Sequence, residues 1–248
     1  MTAEANGGLA GQTAIVTGGN RGIGKGIARA FAMAGADVLI TARDAELLAA
    51  TVAELEAYGG VVVGVPSDVQ VEADVERVFA EAAARFQRLD VLVNNAGLSL
   101  PAPLHEHPLD TWQTVIGTNL TGAFLCTRAA MRLMRPQGRG RIINIASISA
   151  QRVRPESAAY SASKFGLWGL TQVTSLEGRD HGISACCINP GNTRVERREE
   201  IETEENREPM MGVESVAQVA VTMASLPPHV QLLEATVLPL QQPFIGRG

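Results

Sequence analysis

The sequence predicts a single α/β domain in which a doubly wound, seven-stranded parallel sheet is covered by helices on both faces. Short, almost continuously apolar stretches alternate with longer amphipathic ones from residue 13 onward, as in consecutive strand–helix–strand units. No linker long enough to separate two domains interrupts this alternation. The chain has 248 residues, 46% of them hydrophobic, which is enough for a sizeable core.

Strands are predicted where apolar and β-branched residues form short runs bounded by polar or turn-forming residues. Helices are predicted where apolar residues recur with helical spacing. The predicted strands are Thr13–Thr17, Asp37–Thr41, Val61–Pro66, Val91–Asn94, Arg141–Ala146, Ile183–Ile188 and Glu234–Leu238. The predicted helices are Ile23–Ala34, Ala45–Tyr58, Glu72–Phe86, Thr111–Met134, Ser157–Asp180 and Val213–Ser225. Residues 1–10 are expected to be a loose tail, and residues 11–248 the domain.

Composition argues against several kinds of partner. Because the formal net charge is −5, we do not expect the basic surface that binding to nucleic acids or anionic membranes requires. Cys126, Cys186 and Cys187 have neither metal-ligand spacing nor an even number, so we expect a reducing, cytoplasmic compartment. The first residues do not resemble a signal peptide, and no stretch has membrane-spanning length. His105 and His107 lack a third ligand nearby, so no metal site is expected.

A glycine-rich turn, TGGNRGIG, follows the first predicted strand and opens the first predicted helix. Gly18, Gly22 and Gly24 would let the backbone turn tightly and approach a pyrophosphate. The helix behind them would present its free N–H groups and the positive end of its dipole. The sequence therefore favours a dinucleotide site here, with a plain strand-to-helix turn as the alternative.

The residues at the end of the second strand indicate whether the dinucleotide carries a 2′-phosphate. An acidic residue there would bind the adenosine ribose hydroxyls and repel a 2′-phosphate. This sequence has Arg43 after the strand and Arg21 in the glycine turn, and the two guanidinium groups could clamp a phosphate. We therefore expect NADP(H) to be preferred over NAD(H). The alternative is that both arginines only pair with surface carboxylates such as Asp44.

Two further strand ends offer candidate cofactor contacts. Asn95, Ala96 and Gly97 follow the fourth strand, where small residues leave space for a flat ring at the sheet edge. Asp68 follows the third strand. Its carboxylate could accept a hydrogen bond from an adenine amino group or cap the next helix, and the sequence favours both equally.

A proton-transfer site is indicated around the fifth strand and the helix after it. Tyr160 and Lys164 are four residues apart, which places them on one face of a helix, one turn apart. A nearby ammonium favours phenolate and so lowers the pKa of a tyrosine. Ser147 follows the fifth strand, where it could hold a carbonyl oxygen beside the phenol.

The motifs TGGNRGIG, NNAG, Ser147 and YSASK occur in this order, and with them the chain resembles the single-domain short-chain dehydrogenase/reductases over residues 13–192. The resemblance implies a Rossmann fold with strand order 3-2-1-4-5-6-7. It implies Tyr160 as general acid/base, Ser147 as holder of the carbonyl oxygen and Lys164 as the group that binds the nicotinamide ribose and lowers the pKa of Tyr160.

The resemblance alone adds Asn119 as a fourth catalytic residue, the anchor of a water in the proton relay. A buried asparagine that kinks a helix is the alternative. The residues expected to bind the cofactor are Gly18, Asn20, Arg21, Gly22, Ile23, Gly24, Arg43, Asp68, Val69, Asn95, Ala96, Gly97, Tyr160, Lys164, Pro190, Gly191 and Thr193.

The segment after the sixth strand departs from the family pattern. Thr193 occupies the position of an apolar residue and Val195 that of a threonine, so the family's side-chain contact to the cofactor carboxamide is not expected here, although the Thr193 backbone could still serve. Residues 192–212 correspond to the family's substrate lid and are rich in glutamate here, which favours a solvated, mobile lid. Arg152 and Arg154 border the expected substrate pocket, either as carboxylate partners or as exposed charges.

The resemblance implies an enzyme that reduces a small ketone or aldehyde to an alcohol, reversibly, with NADPH. A catalytically silent NADP-binding sensor or scaffold is the alternative, and the retained tetrad favours the enzyme. The two longest helices have small and apolar residues on more than one face. This suggests burial against other subunits in a homotetramer, or in a dimer.

Overall fold

The strands lie within about two residues of their predicted bounds in the computed structural model, which describes residues 8–196 and 208–244. They are numbered in chain order. These are β1 (Thr13–Thr17), β2 (Asp37–Ala42), β3 (Val62–Pro66), β4 (Val91–Asn94), β5 (Gly140–Ile145), β6 (Ile183–Pro190) and β7 (Glu234–Val237).

All seven strands pair in one parallel sheet with the order β3-β2-β1-β4-β5-β6-β7. Ile15 of β1 lies between Leu39 of β2 and Leu92 of β4. The chain therefore moves outward from β1 to β3 and then returns to the other side of β1 with β4. The carboxyl ends of β1 and β4 thus form the topological switch point at which ligands bind in such sheets. The predicted fold is confirmed.

Helices cover both faces of the sheet. Within the described residues no helix is long and apolar enough to cross a membrane. The helices are α1 (Gly22–Met33), α2 (Ala45–Leu55), α3 (Glu72–Phe86), α4 (Leu109–Ile116), α5 (Gly122–Gln137), α6 (Ala158–Gly178) and α7 (Val213–Ser225).

The helix predicted over Thr111–Met134 is interrupted. A π-helical turn, Gly117–Thr121, separates α4 from α5. A π-helical turn places one residue more in the turn than an α-helix does, and such turns are frequent at functional sites. The regular apolar spacing in this stretch did not indicate the π-helical turn.

Two cores lie on opposite faces of the sheet. One contains Phe31 of α1 and Met223 of α7, and the other contains Phe79 of α3 and Met134 of α5. Each of these four side chains is at most 3% exposed. Because apolar helix faces are buried on both sides, the strands are apolar nearly throughout, as the sequence indicated.

The predicted loose tail is too long. Residues 1–7 lie outside the described residues, but Leu9 is 1% exposed and packs into the core beside α1. Its N–H donates to the carbonyl of Ala34 at 3.1 Å. The packed domain therefore includes residues before residue 11, since Leu9 fills a core position that sequence pattern alone did not reveal.

Candidate active site

The glycine turn between β1 and α1 is as compact as the sequence predicted. Gly18 and Gly22 have φ angles of +63° and +54°, in the left-handed region that glycine adopts without steric cost. The N–H of Gly18 donates to the carbonyl of Thr41 at 2.7 Å. A Cβ added at Gly24 would lie 2.1 Å from the carbonyl oxygen of Gly18. The helix can pack this closely on the turn only with glycine at this position.

The N-terminus of α1, whose N-cap residue is Arg21, has neither a side-chain cap nor an acidic residue in its own first turn. The N–H of Gly22 instead donates to the carboxylate of Glu196 at 3.4 Å. A carboxylate is a chemical stand-in for a phosphate at a helix N-terminus. The residues present therefore fit a dinucleotide pyrophosphate.

The turn after β4 is joined to the glycine turn. Both the Asn95 and Ala96 N–H groups donate to the hydroxyl of Thr17 at 3.0 Å. The Asn95 side chain donates to the carbonyls of Thr17 and Gly18 at 2.9 and 3.1 Å. The two turns at the switch point thus form one unit, which fixes the distance between the expected pyrophosphate site and the expected ring site near Gly97.

The two arginines expected at the adenosine end are exposed. Among the residues that the structure describes, neither Arg21 nor Arg43 has a carboxylate within 4.0 Å. The carboxylate of Asp44 instead accepts from the N–H of Leu47 at 3.0 Å and caps α2. The alternative in which Asp44 occupies these arginines is therefore not observed.

Asp68 does not cap the helix that follows it. Its carboxylate accepts from the N–H of Gln70 at 2.9 Å, and its own N–H donates to Asp74 at the same distance. The N-cap residue of α3 is Val71. The capping alternative was wrong because the turn after β3 is three residues longer than it required. The side chain of Val69 packs on Gly122 of α5.

Tyr160 and Lys164 lie on the first turns of α6, where the predicted helix placed them. Lys164 is 4% exposed, and its Nζ donates to the carbonyl of Ile145 at 2.7 Å. The Nζ lies 5.6 Å from the centroid of the Tyr160 ring. Burial lowers the pKa of Lys164 to about 8, so the ammonium is still mostly protonated at neutral pH. A positive charge therefore faces the phenol ring from inside the protein.

Ser147 is the second residue after β5 and is 8% exposed. Its Oγ accepts from the N–H of Ser149 at 3.1 Å. Because the oxygen is already engaged as an acceptor, the hydroxyl proton is directed elsewhere and suits donation to a carbonyl oxygen. The carbonyl of Ile145, which holds Lys164, lies only two residues earlier, so one strand end positions both groups.

Asn119 lies in the π-helical turn and is 1% exposed. Its amide accepts from the N–H of Leu98 at 2.8 Å and donates to the carbonyl of Leu98 at 2.9 Å. It also donates to the hydroxyl of Ser163 at 3.0 Å, and that hydroxyl donates to the carbonyl of Tyr160 at 2.6 Å. Asn119 thus connects the loop after β4 to the helix that carries Tyr160.

Sequence reasoning missed Ser163 as a member of this site. Ser163 stands directly before Lys164 in the sequence, but its role depends on a contact with Asn119 in the π-helical turn, which spacing along α6 does not reveal.

The two ends of the predicted lid lie side by side, while its residues 197–207 lie outside the described part of the chain. Thr193 pairs with Met211 as a β-bridge, and its hydroxyl donates to the carbonyl of Gly191 at 3.1 Å. Gln242, which sequence reasoning also missed, is 7% exposed and accepts from the N–H of Asn192 at 2.8 Å. The C-terminal segment therefore fixes the chain where it leaves Pro190 at the end of β6.

The arginines of the predicted substrate pocket have neighbours of their own. Arg154 lies 3.6 Å from the carboxylate of Glu208, at the far end of the lid. The guanidinium of Arg152 lies 5.3 Å from the ring centroid of Phe244. Their action on a substrate carboxylate stays a prediction. Within the described residues, no group of three or more His, Cys, Asp or Glu side chains could hold a metal ion.

The sheet order together with the glycine turn at the switch point is typical of dinucleotide-binding oxidoreductases. The family model of short chain dehydrogenases matches residues 12–206. The chain therefore belongs to the short-chain dehydrogenase/reductase family, whose members are oxidoreductases that bind NAD(P) and act on CH–OH and C=O groups. The resemblance noted from the sequence is confirmed.

Curated relatives and solved structures agree with this assignment. The chain is 39% identical to a 3-oxoacyl-[acyl-carrier-protein] reductase of Synechocystis sp. over 197 residues, 79% of this chain and 80% of the relative. It is 40% identical to a D-beta-hydroxybutyrate dehydrogenase of Cupriavidus necator over 185 residues, 74% of this chain and 71% of the relative. A metagenomic short-chain oxidoreductase, solved in complex with NADP, matches with a TM-score of 0.83 and 33% identity, covering 94% of this chain and 99% of its own.

Proposed function

We propose that the protein is an NADP(H)-dependent oxidoreductase that reduces a ketone or aldehyde to an alcohol, reversibly, with Tyr160 as general acid/base. The observation that carries the proposal is the buried ammonium of Lys164, which is held on the carbonyl of Ile145 and lies 5.6 Å from the Tyr160 ring. A buried cation beside a tyrosine favours the phenolate, and this tuning brings a proton donor toward neutral pH.

In this mechanism Ser147 and Tyr160 both donate hydrogen bonds to the carbonyl oxygen of the substrate. The bound cofactor supplies the hydride that reaches the carbonyl carbon. Negative charge then develops on an oxygen toward which two donors already point, and Tyr160 transfers its proton to it. Lys164 stabilises the phenolate that remains, and Asn119 anchors the water through which the proton is replaced.

The preference for NADP(H) is supported by Arg21 and Arg43. Both guanidinium groups are exposed, and in the described residues no carboxylate neutralises either of them. Each could donate charge-assisted hydrogen bonds to a 2′-phosphate. The likeness to an oxidoreductase solved with NADP supports the same cofactor. The whole set of cofactor contacts expected from the sequence is part of this proposal.

A catalytically silent sensor is not favoured, because such a protein would have no need of a buried lysine. Burying an ammonium costs free energy, and Lys164 is 4% exposed. In a carbonyl reductase the buried ammonium would stabilise the Tyr160 phenolate, which explains why a costly buried charge is present.

We also propose that the chain assembles into a homotetramer, with a dimer as the alternative. Phe124 of α5 and Phe165, Val173 and Leu176 of α6 are 44%, 46%, 51% and 62% exposed. Exposed apolar side chains on neighbouring helices suit burial against another subunit. Sedimentation that shows only monomer would contradict this proposal.

The deciding experiment measures initial rates of NADPH oxidation, with NADH in parallel, over a panel of aldehydes, ketones, diketones and β-keto acids and esters. Turnover with NADPH is the expected result, and its rank order across the panel would identify the substrate class. Tight NADPH binding without turnover of any compound would favour the sensor instead. Faster turnover with NADH would contradict the assigned role of Arg21 and Arg43.

A further inference from the structure

An open cavity of about 420 Å³ lies at the amino-terminal edge of the sheet. It is lined by the starts of β1, β4 and β5 and by the segment that follows α7. The glycine turn and the catalytic residues lie at the carboxyl ends of these strands. The cavity is therefore separate from the active site.

The charged side chains that line this cavity are Arg88, Arg139, Arg141 and Asp90. Asp90 is the counter-ion of two of them, since its Oδ1 contacts Arg88 and lies 3.3 Å from Arg139. Its Oδ2 accepts from the N–H of Thr13 at 3.0 Å, so this carboxylate is already fully engaged. Three guanidinium groups against one carboxylate leave two positive charges without compensation among the lining residues.

Arg141 is the least compensated of the three. It is 5% exposed, and among the described residues it has no carboxylate within 4.0 Å. Its Nη2 donates only to carbonyls, those of Leu226 and Val230 at 3.2 Å and of Pro227 at 3.4 Å, and its buried Nη1 has no partner. A buried charge without a counter-ion is costly, and an anion in the cavity would offset that cost.

Arg88, at the cavity wall, also has a buried nitrogen without a hydrogen-bond partner. Its Nη2 contacts Asp90, whereas its Nε is buried and has no hydrogen-bond partner. Guanidinium groups bind phosphate and carboxylate oxygens through paired N–H donors, and several of them around one cavity give a site for a multiply charged oxyanion.

We propose that this cavity binds a small oxyanion with two negative charges, namely a phosphate group or a dicarboxylate, between Arg88, Arg139 and Arg141. The two negative charges of the ligand would neutralise the two guanidinium charges that Asp90 leaves uncompensated. The ligand also bridges β5 to the segment after α7, because Arg141 holds that segment through its three carbonyl contacts.

The test is a calorimetric titration of the full chain with inorganic phosphate and, separately, with succinate. At least one probe should bind, and the tighter one indicates whether the natural ligand carries a phosphate or two carboxylates. Arg139→Gln, which changes a side chain that is 47% exposed and therefore should not disturb folding, should weaken that binding about tenfold.

Two control variants locate the binding. Arg132→Gln removes a comparably exposed arginine whose ion pair, with Glu76 at 2.9 Å, lies elsewhere, and Arg43→Gln removes a proposed cofactor contact. Arg132→Gln should leave the affinity for the probe unchanged. Arg43→Gln shows whether the probe also binds at the proposed 2′-phosphate site, and the binding that remains in this variant should still be weakened by Arg139→Gln. The proposal is overturned if neither probe binds at tens of millimolar, or if Arg139→Gln leaves that remaining binding unchanged. This outcome is independent of whether the enzyme reduces carbonyls.

Discussion

The proposed catalytic groups and the proposed cofactor-selecting groups differ in how they are held. Asn119 and Lys164 are 1% and 4% exposed, and each is fixed by hydrogen bonds to neighbouring backbone. Arg21 and Arg43 are exposed, and no hydrogen bond or ion pair of their side chains is found among the described residues. Folding thus fixes the proposed catalytic groups in advance, whereas the proposed cofactor-selecting arginines would gain their hydrogen-bond partners only from the ligand.

The largest effect is expected at the proposed acid/base residue. Tyr160→Phe should lower turnover about a thousandfold, because the proton donor is lost, while the dissociation constant of NADPH changes little. Tyr58→Phe is the matched control, since Tyr58 is the other tyrosine and is 40% exposed far from any proposed role. Steady-state rates and fluorescence titration of NADPH measure the two quantities. Retained turnover in the Tyr160 variant would refute the assignment.

The second effect concerns the cost of the buried ammonium. Burial lowers the pKa of Lys164 from 10.5 to about 8, so the folded state releases this proton more readily than the unfolded state. The charged form therefore destabilises the fold by about 3 kcal/mol below pH 8, and this cost disappears as the pH rises from 8 to 10.5. Lys164→Met should raise the free energy of unfolding at pH 7 by about 2 kcal/mol, after the loss of one hydrogen bond.

Urea unfolding at pH 7, 9 and 10.5 checks this prediction. The advantage of the Lys164→Met variant should shrink with rising pH, and turnover should be lost at every pH. Lys25→Met is the control, because Lys25 pairs with Glu54 at the surface and its removal should change stability little. If Lys164→Met instead lowers the free energy of unfolding at pH 7, the buried ammonium does not destabilise the fold and the prediction is wrong.

A third effect is expected at the adenosine end of the site. Arg43→Gln should weaken NADPH binding about tenfold through the loss of a charge-assisted hydrogen bond, and leave NADH binding unchanged. Arg85→Gln, which removes an exposed arginine paired with Glu81, should alter neither constant. Equal losses for the two cofactors would show that Arg43 does not contact the 2′-phosphate.

The smallest effect is expected at Ser163, which we regard as a positioning residue. Ser163→Ala removes one hydrogen bond to Asn119 and should lower kcat about fivefold without changing KM. Ser161→Ala removes a hydroxyl of the same helix that bonds Ser157 instead, and should leave kcat unchanged. A rise in KM with constant kcat would show that Ser163 acts on substrate binding rather than on the relay.

The parts of the molecule that sequence predicted well are those set by local periodicity. The alternation of apolar strands and helices predicted the sheet, and the spacing of Tyr160 and Lys164 predicted their shared face. The partners of Asn119 could not be predicted in this way, because Leu98 and Ser163 lie 21 and 44 residues away. The cluster around Arg141 was missed for the same reason, since the pattern shows only that the residue begins a buried strand.

The π-helical turn at Gly117–Thr121 makes the position of Asn119 sensitive to the deletion of a single residue. Removing one residue from such a turn restores a regular α-helix, and the flanking helices keep the faces with which they pack. A deletion of a single codon in this stretch would therefore preserve the packing of α4 and α5 and displace Asn119 from Leu98 and Ser163. Because Asn119 is a proposed catalytic residue, we expect the shortened protein to keep its fold and to lose activity.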